Sequence, residues 1–404
     1  MQANPRLGVL SAALVVWAGS AAALDRQKLE RLRPIMDAIY RLDYDRSEAL
    51  SKKLIAEAPD DPAGYVFLAR TYWSMELNRH LALRVDRFAA SDFFRDSKEG
   101  GFKYRIDVDP AMERRFQEAS RRAIEKAKAQ IRTDPDTAGF LLGLAYQNLV
   151  TFDASLKGGW WSAFRAGQRS VKHQGEVWSR NRDFADPLLA IGAYDYVAGS
   201  VPWSVRWLTV FLGMELGNKV RGKQRLETAA EKAVLMGGDA AIMLVLIHTR
   251  EKNYETAYGI LTALGRKYPE NYLVQLDRAE LARRMRRFDL TTSILSEMLL
   301  RIQAGEAGYS DMLRSGVYHQ LGLSFRAAGR LRAAETWFRV LLQDRNSPQR
   351  YRTIAHLELG KTLDLEGRRQ DALAHYRQVL ETEDVGGSRR EAERLILSGF
   401  KPES

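Results

Sequence analysis

Gly322 and Gly360 stand 38 residues apart, and so do Ala334 and Ala372. Each glycine follows a leucine and precedes a large apolar residue by three positions, in Leu321-Gly322-x-x-Phe325 and Leu359-Gly360-x-x-Leu363. Each is then followed by a Gly-Arg step, in Gly329-Arg330-Leu331-x-x-Ala334 and Gly367-Arg368-Arg369-x-x-Ala372. A module of this length that recurs cannot bury its apolar face alone, so neighbouring copies must stack into a continuous core. This recurrence constrains the fold more than any other feature of the chain.

Further copies follow upstream. Asn253-Tyr254-Glu255-Thr256-Ala257 aligns with Arg287-Phe288-Asp289-Leu290-Thr291 at a spacing of 34. Leu68-Ala69-x-x-Tyr72 follows Ala58-Pro59-Asp60-Asp61-Pro62, and Leu142-Gly143-x-x-Tyr146 follows Thr133-Asp134-Pro135-Asp136. Apolar residues recur at three and four, alternating β-branched runs are missing, and the intervening turns are short, as in antiparallel helix pairs. These residues resemble the tetratricopeptide repeat. The resemblance implies an all-α, right-handed superhelical solenoid of helix-turn-helix units. In each unit a small residue lets helices A and B approach, the aromatic three residues on fills the gap beside it, and a proline stops helix B. Pro59, Pro135 and Pro269 are expected in that stopping role.

The expected organisation is a leader over 1–23, a repeat-like helical region over 24–151, an irregular Trp-rich helical segment over 152–236, repeats over 237–384, and a capping helix and tail over 385–404. Ser388–Lys401 reads as the amphipathic cap. Arg95–Pro110 reads as a long loop. The middle segment carries Phe184-Ala185-Asp186-Pro187, Gly192-Ala193-Tyr194-Asp195-Tyr196 and Gly222-x-x-x-Leu226. There the chain resembles bacterial exported tetratricopeptide proteins and, more distantly, eukaryotic tetratricopeptide proteins linked to inclusion-body clearance. That resemblance implies a shared scaffold and no activity.

The first residues read as a secretory signal: Arg6, an apolar core from Leu7 to Ala18, and Ala21-x-Ala23, with cleavage expected after Ala23. The alternative is an uncleaved anchor over Leu7–Leu24. Val201–Gly217 contains Pro202, Arg206 and Glu215 and reads as a buried helix, so no membrane span is expected after signal removal. The expected location is periplasmic or secreted, or held at the inner membrane if the signal is retained.

With no cysteine among 404 residues, disulfides, zinc-thiolate sites, iron–sulfur ligation and cysteine nucleophiles are excluded. The six histidines, His80, His173, His248, His319, His356 and His375, show no i, i+4 pair. Asp107 and Asp109 lack the further oxygen ligands of a calcium loop. No G-x-S-x-G, Walker or strand-linked G-x-G-x-x-G motif occurs. No enzyme activity, metal or cofactor is expected.

Three features suggest binding. Helix A residues Arg278, Tyr318 and His356 are expected on a concave groove, clear of helix B and facing a protein or peptide partner. Five of the eight tryptophans, Trp160, Trp161, Trp178, Trp203 and Trp207, fall in the middle segment. They form either an aromatic cleft or the core of a segment without small-residue packing, and adjacent Trp160 and Trp161 cannot both face one core. Arg286, Arg287, Arg330, Arg332, Arg368 and Arg369 fall in equivalent turns and should stack into a basic ridge, beside Arg283 and Arg284. That ridge either offsets helix dipoles or meets anionic lipid or an acidic partner. The net charge of +11 is not read as nucleic-acid binding, because no recognition module accompanies it. The expected function is an exported scaffold for a protein or peptide partner in envelope assembly or secretion. The alternative is a module for anionic lipid or envelope polymer.

Overall fold

The computed structural model describes residues 26–80, 107–200 and 217–401. The expected leader, residues 95–106 of the expected loop, residues 201–216 of the expected buried helix, Trp203 and Trp207 lie outside the described residues, as does the side chain of Trp160; Pro110, the expected end of the loop, opens α5. Among the described residues the structure is helical with no strand. The helices are α1 (Arg26–Glu30), α2 (Arg33–Tyr40), α3 (Tyr44–Glu57), α4 (Pro62–Arg79), α5 (Pro110–Gln130), α6 (Pro135–Phe152), α7 (Trp160–Arg180), α8 (Leu188–Gly199) and α9 (Lys219–Lys232). There follow α10 (Gly237–Arg250), α11 (Tyr254–Lys267), α12 (Tyr272–Arg284), α13 (Phe288–Gln303), α14 (Arg314–Ala327), α15 (Leu331–Gln343), α16 (Gln349–Leu365), α17 (Arg369–Leu380) and α18 (Ser388–Ser398). Consecutive helices pack in antiparallel pairs, so the chain is an all-α solenoid of helix-turn-helix units.

One turn is used five times between helix A and helix B. Its central residue takes a left-handed φ: Leu42 (63°), Lys252 (60°), Arg286 (61°), Gly329 (73°) and Gly367 (76°). The next residue donates its N–H five residues back, from Asp43 to Ala38 (2.9 Å), Asn253 to His248 (2.8 Å), Arg287 to Ala282 (2.8 Å), Arg330 to Phe325 (2.9 Å) and Arg368 to Leu363 (2.9 Å). This is the Schellman closure, which satisfies carbonyls that a helix end leaves unpaired. The residue that closes helix A thereby becomes the N-cap of helix B.

The glycine notches lie between helices as expected. A methyl group on Gly360 in α16 would stand 2.5 Å from the Tyr376 ring of α17, and one on Gly322 in α14 would strike the Phe338 ring of α15. In both units the ring seated on the notch comes from helix B, sixteen residues on, rather than from the aromatic three residues on. At Gly143 in α6 the notch takes the Gln174 side chain of α7, whose amide donates to the Phe140 carbonyl at 3.1 Å. Pro59 and Pro269 follow helix B in the expected way. Pro135 does not: it is the first residue of α6, where its missing N–H costs nothing and its fixed φ suits the helix.

The middle segment keeps the pairing by closer approach. Gly192 in α8 meets Gly222 in α9, and a methyl on Gly192 would stand 2.9 Å from the Gly222 carbonyl oxygen. Asp186 accepts three backbone N–H bonds, from Val234 (2.7 Å), Leu235 (2.7 Å) and Met236 (2.9 Å), and so holds the entry to α10.

Contacts between distant units depart from a strictly neighbour-to-neighbour array. The Tyr40 hydroxyl donates to Asp239 at 3.0 Å, Arg70 pairs with the same carboxylate at 2.6 Å, and the Tyr268 hydroxyl donates to Asp37 at 2.9 Å. Asn271 donates to the Tyr40 carbonyl at 2.7 Å. These bonds tie α2 and α4 to α10 and the α11–α12 turn, and one apolar core runs from Leu29 through Phe140 to Leu281. At the other end α18 buries Ala392 and Leu395 against α17, and Arg369 donates to the Leu395 (2.9 Å) and Ile396 (2.6 Å) carbonyls.

Candidate functional site

The groove residues named from the sequence are less free than expected. Tyr318 on α14 stacks on Trp337 of α15 with ring centroids 5.6 Å apart. His356 on α16 meets His375 of α17, Nδ1 to Nδ1 at 2.9 Å. Both pairs stand at the same register of consecutive units, so this position faces helix B of its own unit. Arg278 on α12 turns to the preceding helix B, where it donates to the Tyr258 hydroxyl at 3.1 Å and lies over that ring. The expectation that the three side chains stay clear of helix B is corrected accordingly. Each remains half-buried, with an edge in solvent.

Of the tryptophans, Trp178 packs against the main core and Trp161 is 56% exposed. Trp161 stacks on Phe164 at 5.5 Å, with the Arg165 guanidinium over its ring at 6.0 Å. One turn further, Arg169 lies over Tyr146 at 5.6 Å. The solvent face of α7 thus carries an aromatic end and a line of cations.

Ion pairs link several of the arginine turns to the unit before, and most of the arginines carry carboxylate partners. Arg287 pairs with Glu255 at 2.6 Å and Arg330 with Asp289 at 3.4 Å. In both cases the N-cap arginine of one helix B reaches an acid two residues past the N-cap of the helix B before it. That acid also stands in the first turn, where the helix dipole favours it. At the next step this position is Arg332, and Arg368 pairs instead with Glu335 (2.8 Å), Glu366 (3.2 Å) and Asp371 (2.9 Å). Arg369 pairs with Asp364 at 3.0 Å. Arg286 and Arg332 are exposed. Four of the six arginines expected on the ridge, Arg287, Arg330, Arg368 and Arg369, are thus engaged in ion pairs.

Three charged clusters of the interior are closed by ion pairs. Asp195 is paired with Arg221 and Arg225, and Glu280 with Arg283 and Arg284. Burial would raise the Glu358 carboxyl, but Arg326 and Lys361 beside it outweigh that and hold it down at about 2. Such clusters are structural ties. Among the described residues no three His, Asp or Glu side chains gather around a metal-sized space, and no helix is long and apolar enough to cross a membrane.

A feature missed in the sequence lies between α4 and α5. Tyr65, Leu68 and Tyr72 of α4 floor an open trough of 720 Å³, and α5 lines its other side with basic residues. The signal was present as an aromatic i, i+7 pair, Tyr65 and Tyr72, and as Arg114, Arg115, Arg122 and Lys126 on one later helix. It was obscured because the two helices are separated in sequence by the residues from 80 to 109.

No protein-family model and no curated protein matches the chain. Among solved structures it is similar to yeast Tom70, with 11% identity and a TM-score of 0.38 over 90% of this chain and 86% of that one. It is similar to a human IFIT1 dimer with PPP-AAAA, with 12% identity and a TM-score of 0.43 over 93% and 85%. A tetratricopeptide repeat protein from Parabacteroides merdae shares 13% identity at a TM-score of 0.31 over 82% and 99%.

Proposed function

We propose that this chain is an exported, non-catalytic scaffold that grips a protein or peptide partner along its stacked helix pairs, in envelope assembly or secretion. The observation that carries this reading is the repeated Schellman turn, which sets successive units in one register and so presents equivalent side chains at regular intervals. The closed clusters around Asp195, Glu280 and Glu358 support a holding role, since their charges are spent on packing. Export rests on the leader pattern ending at Ala23. The half-exposed edges of Arg278, Tyr318 and His356 are proposed as partner contacts.

Photo-crosslinking in the native cell tests the reading. A benzophenone residue placed at Tyr318 or Arg278 should yield one defined crosslinked protein, while one placed at buried Phe338 should yield none. Recovery of no partner from any exposed position would end the proposal. N-terminal sequencing of the exported protein should begin at Leu24.

A second reading is favoured by the α7 surface alone. Exposed Trp161 beside Arg165 and Arg169 suits a surface of acidic lipid, with roughly 1 kcal/mol per cation near the headgroups. Flotation with liposomes rich in acidic lipid should then weaken on Trp161→Ala and with added salt.

A further inference from the structure

The trough between α4 and α5 combines an apolar floor with a basic wall, of which Arg114 and Arg115 close no ion pair among the described residues. Leu68 and Tyr72 are buried in it and Tyr65 is half-buried, so the floor offers two rings and an aliphatic side chain. The carboxylates around it are already engaged. Glu48 accepts from the Tyr72 hydroxyl (3.1 Å) and Lys52 (2.6 Å), Asp60 pairs with Lys126 (2.7 Å), and Glu118 is shared by Arg121 (2.7 Å) and Arg122 (3.0 Å). Arg114 and Arg115 line the same wall and are exposed; Arg115 lies within electrostatic reach of Glu48, and neither guanidinium closes an ion pair among the described residues. Two guanidinium forks beside an aromatic floor, with the nearby acids among the described residues engaged elsewhere, form a surface that suits a negative complement.

From Arg114 to Lys126 the α5 wall runs about 18 Å at 1.5 Å per residue. That is room for about five or six residues of extended chain. We infer that this trough receives an acidic, extended segment of a protein partner, with carboxylates on Arg114 and Arg115 and an apolar side chain on Tyr65, Leu68 and Tyr72. Guanidinium groups suit such carboxylates because their paired N–H donors match the two oxygens. The inference rests on the scaffold reading proposed above and adds to it the place and the chemistry of the grip.

The test is selection of displayed random dodecapeptides on the full-length chain. The enriched pool should be rich in Asp and Glu around an aromatic or aliphatic residue. The best selected peptide, measured by fluorescence anisotropy, should bind at least about tenfold more weakly to Arg114→Glu/Arg115→Glu, which corresponds to 1.4 kcal/mol or more. A control with the same change in net charge, Arg286→Glu/Arg332→Glu, should change affinity less than about twofold, which separates the trough from the general field of a basic protein. The gentler Arg114→Gln/Arg115→Gln variant should show an intermediate loss with an unchanged unfolding midpoint. An enriched pool without acidic bias, no enrichment, or equal losses in the trough and control variants would each overturn the assignment. If the crosslinked partner from Tyr318 is still captured by Arg114→Glu/Arg115→Glu while the peptide test fails, the scaffold stands and the trough is not its grip.

Discussion

His356 and His375 face each other across the last A–B pair with 2.9 Å between their Nδ1 atoms, so one ring donates and the other accepts. Two protonated rings could not share that contact, since each would point a donor at the other. Burial lowers both, and His375 falls to about 4 because His356 and Arg339 add to the effect of burial against the weaker pull of Asp371 and Glu335.

This contact predicts acid sensitivity with a definite sign. A histidine lowered in the folded state binds fewer protons there than when unfolded, so stability rises with pH between the two values. The contribution is intact above pH 6.5, the ordinary histidine value, and declines towards pH 4. The unfolding temperature should therefore fall across that window, and His356→Gln/His375→Gln should flatten the fall. A scan of melting temperature against pH checks it; an identical slope in the variant would refute the role of this pair.

The Gly360 notch predicts a cost for one methyl group. Tyr376 is fully buried and its hydroxyl is held by Asp364 at 2.8 Å, so the ring cannot swing away from a new Cβ. Gly360→Ala should lose about 1–3 kcal/mol, as over-packed cores do. Gly259 lies within α11 with nothing within 4 Å of a methyl group, so Gly259→Ala should gain about 0.5–1 kcal/mol from helix propensity. Urea midpoints of the two variants should move in opposite directions.

Asp186 predicts the largest single loss. Its two oxygens satisfy three backbone donors, of Val234, Leu235 and Met236, and the residue is 1% exposed. Truncation leaves the buried donors of Leu235 and Met236 without partners at about 1–3 kcal/mol each, so Asp186→Ala should cost at least about 2 kcal/mol. Asp186→Asn, which keeps one acceptor oxygen, should recover part of it. A melting curve for Asp186→Ala that overlays the parent would remove this clamp from the account.

Legibility followed distance along the chain. Gly322 and Gly360 were readable because a notch needs the smallest residue at a fixed register, and the pattern repeats within forty residues; Gly143 was readable from the same Leu-Gly-x-x-aromatic spacing. Asp186 was visible as part of a motif, but its partners lie 48–50 residues on and are backbone groups, which carry no residue signature. The contact of Tyr40 with Asp239 spans 199 residues and belongs to no repeat, so no periodicity announces it. For Tyr318 and His356, assignment to helix A was correct and the facing was not. A helix in a stack has neighbours on two sides, and counting along one helix does not tell the groove from the inter-helix seam. The trough over Tyr65 and Tyr72 depends on bringing together helices separated by an insertion.

The ladder of turns predicts its own repair. Arg287 reaches Glu255 and Arg330 reaches Asp289, each an acid two residues past the preceding N-cap, and the rule breaks where that position is Arg332. Arg332→Glu would place an acid opposite Arg368 and in the first turn of α15, where a negative charge also suits the dipole. Both partners are exposed, so the gain is small, a rise of roughly 1–2 °C in melting temperature at low salt. It should vanish in 1 M salt, where screening shortens electrostatic reach to about 3 Å. Arg368→Gln in the same background should cancel the gain, because the new carboxylate then has no cation across the step. A rise that survives both high salt and loss of Arg368 would mean that relief at Arg332 itself, and no pairing between turns, is responsible.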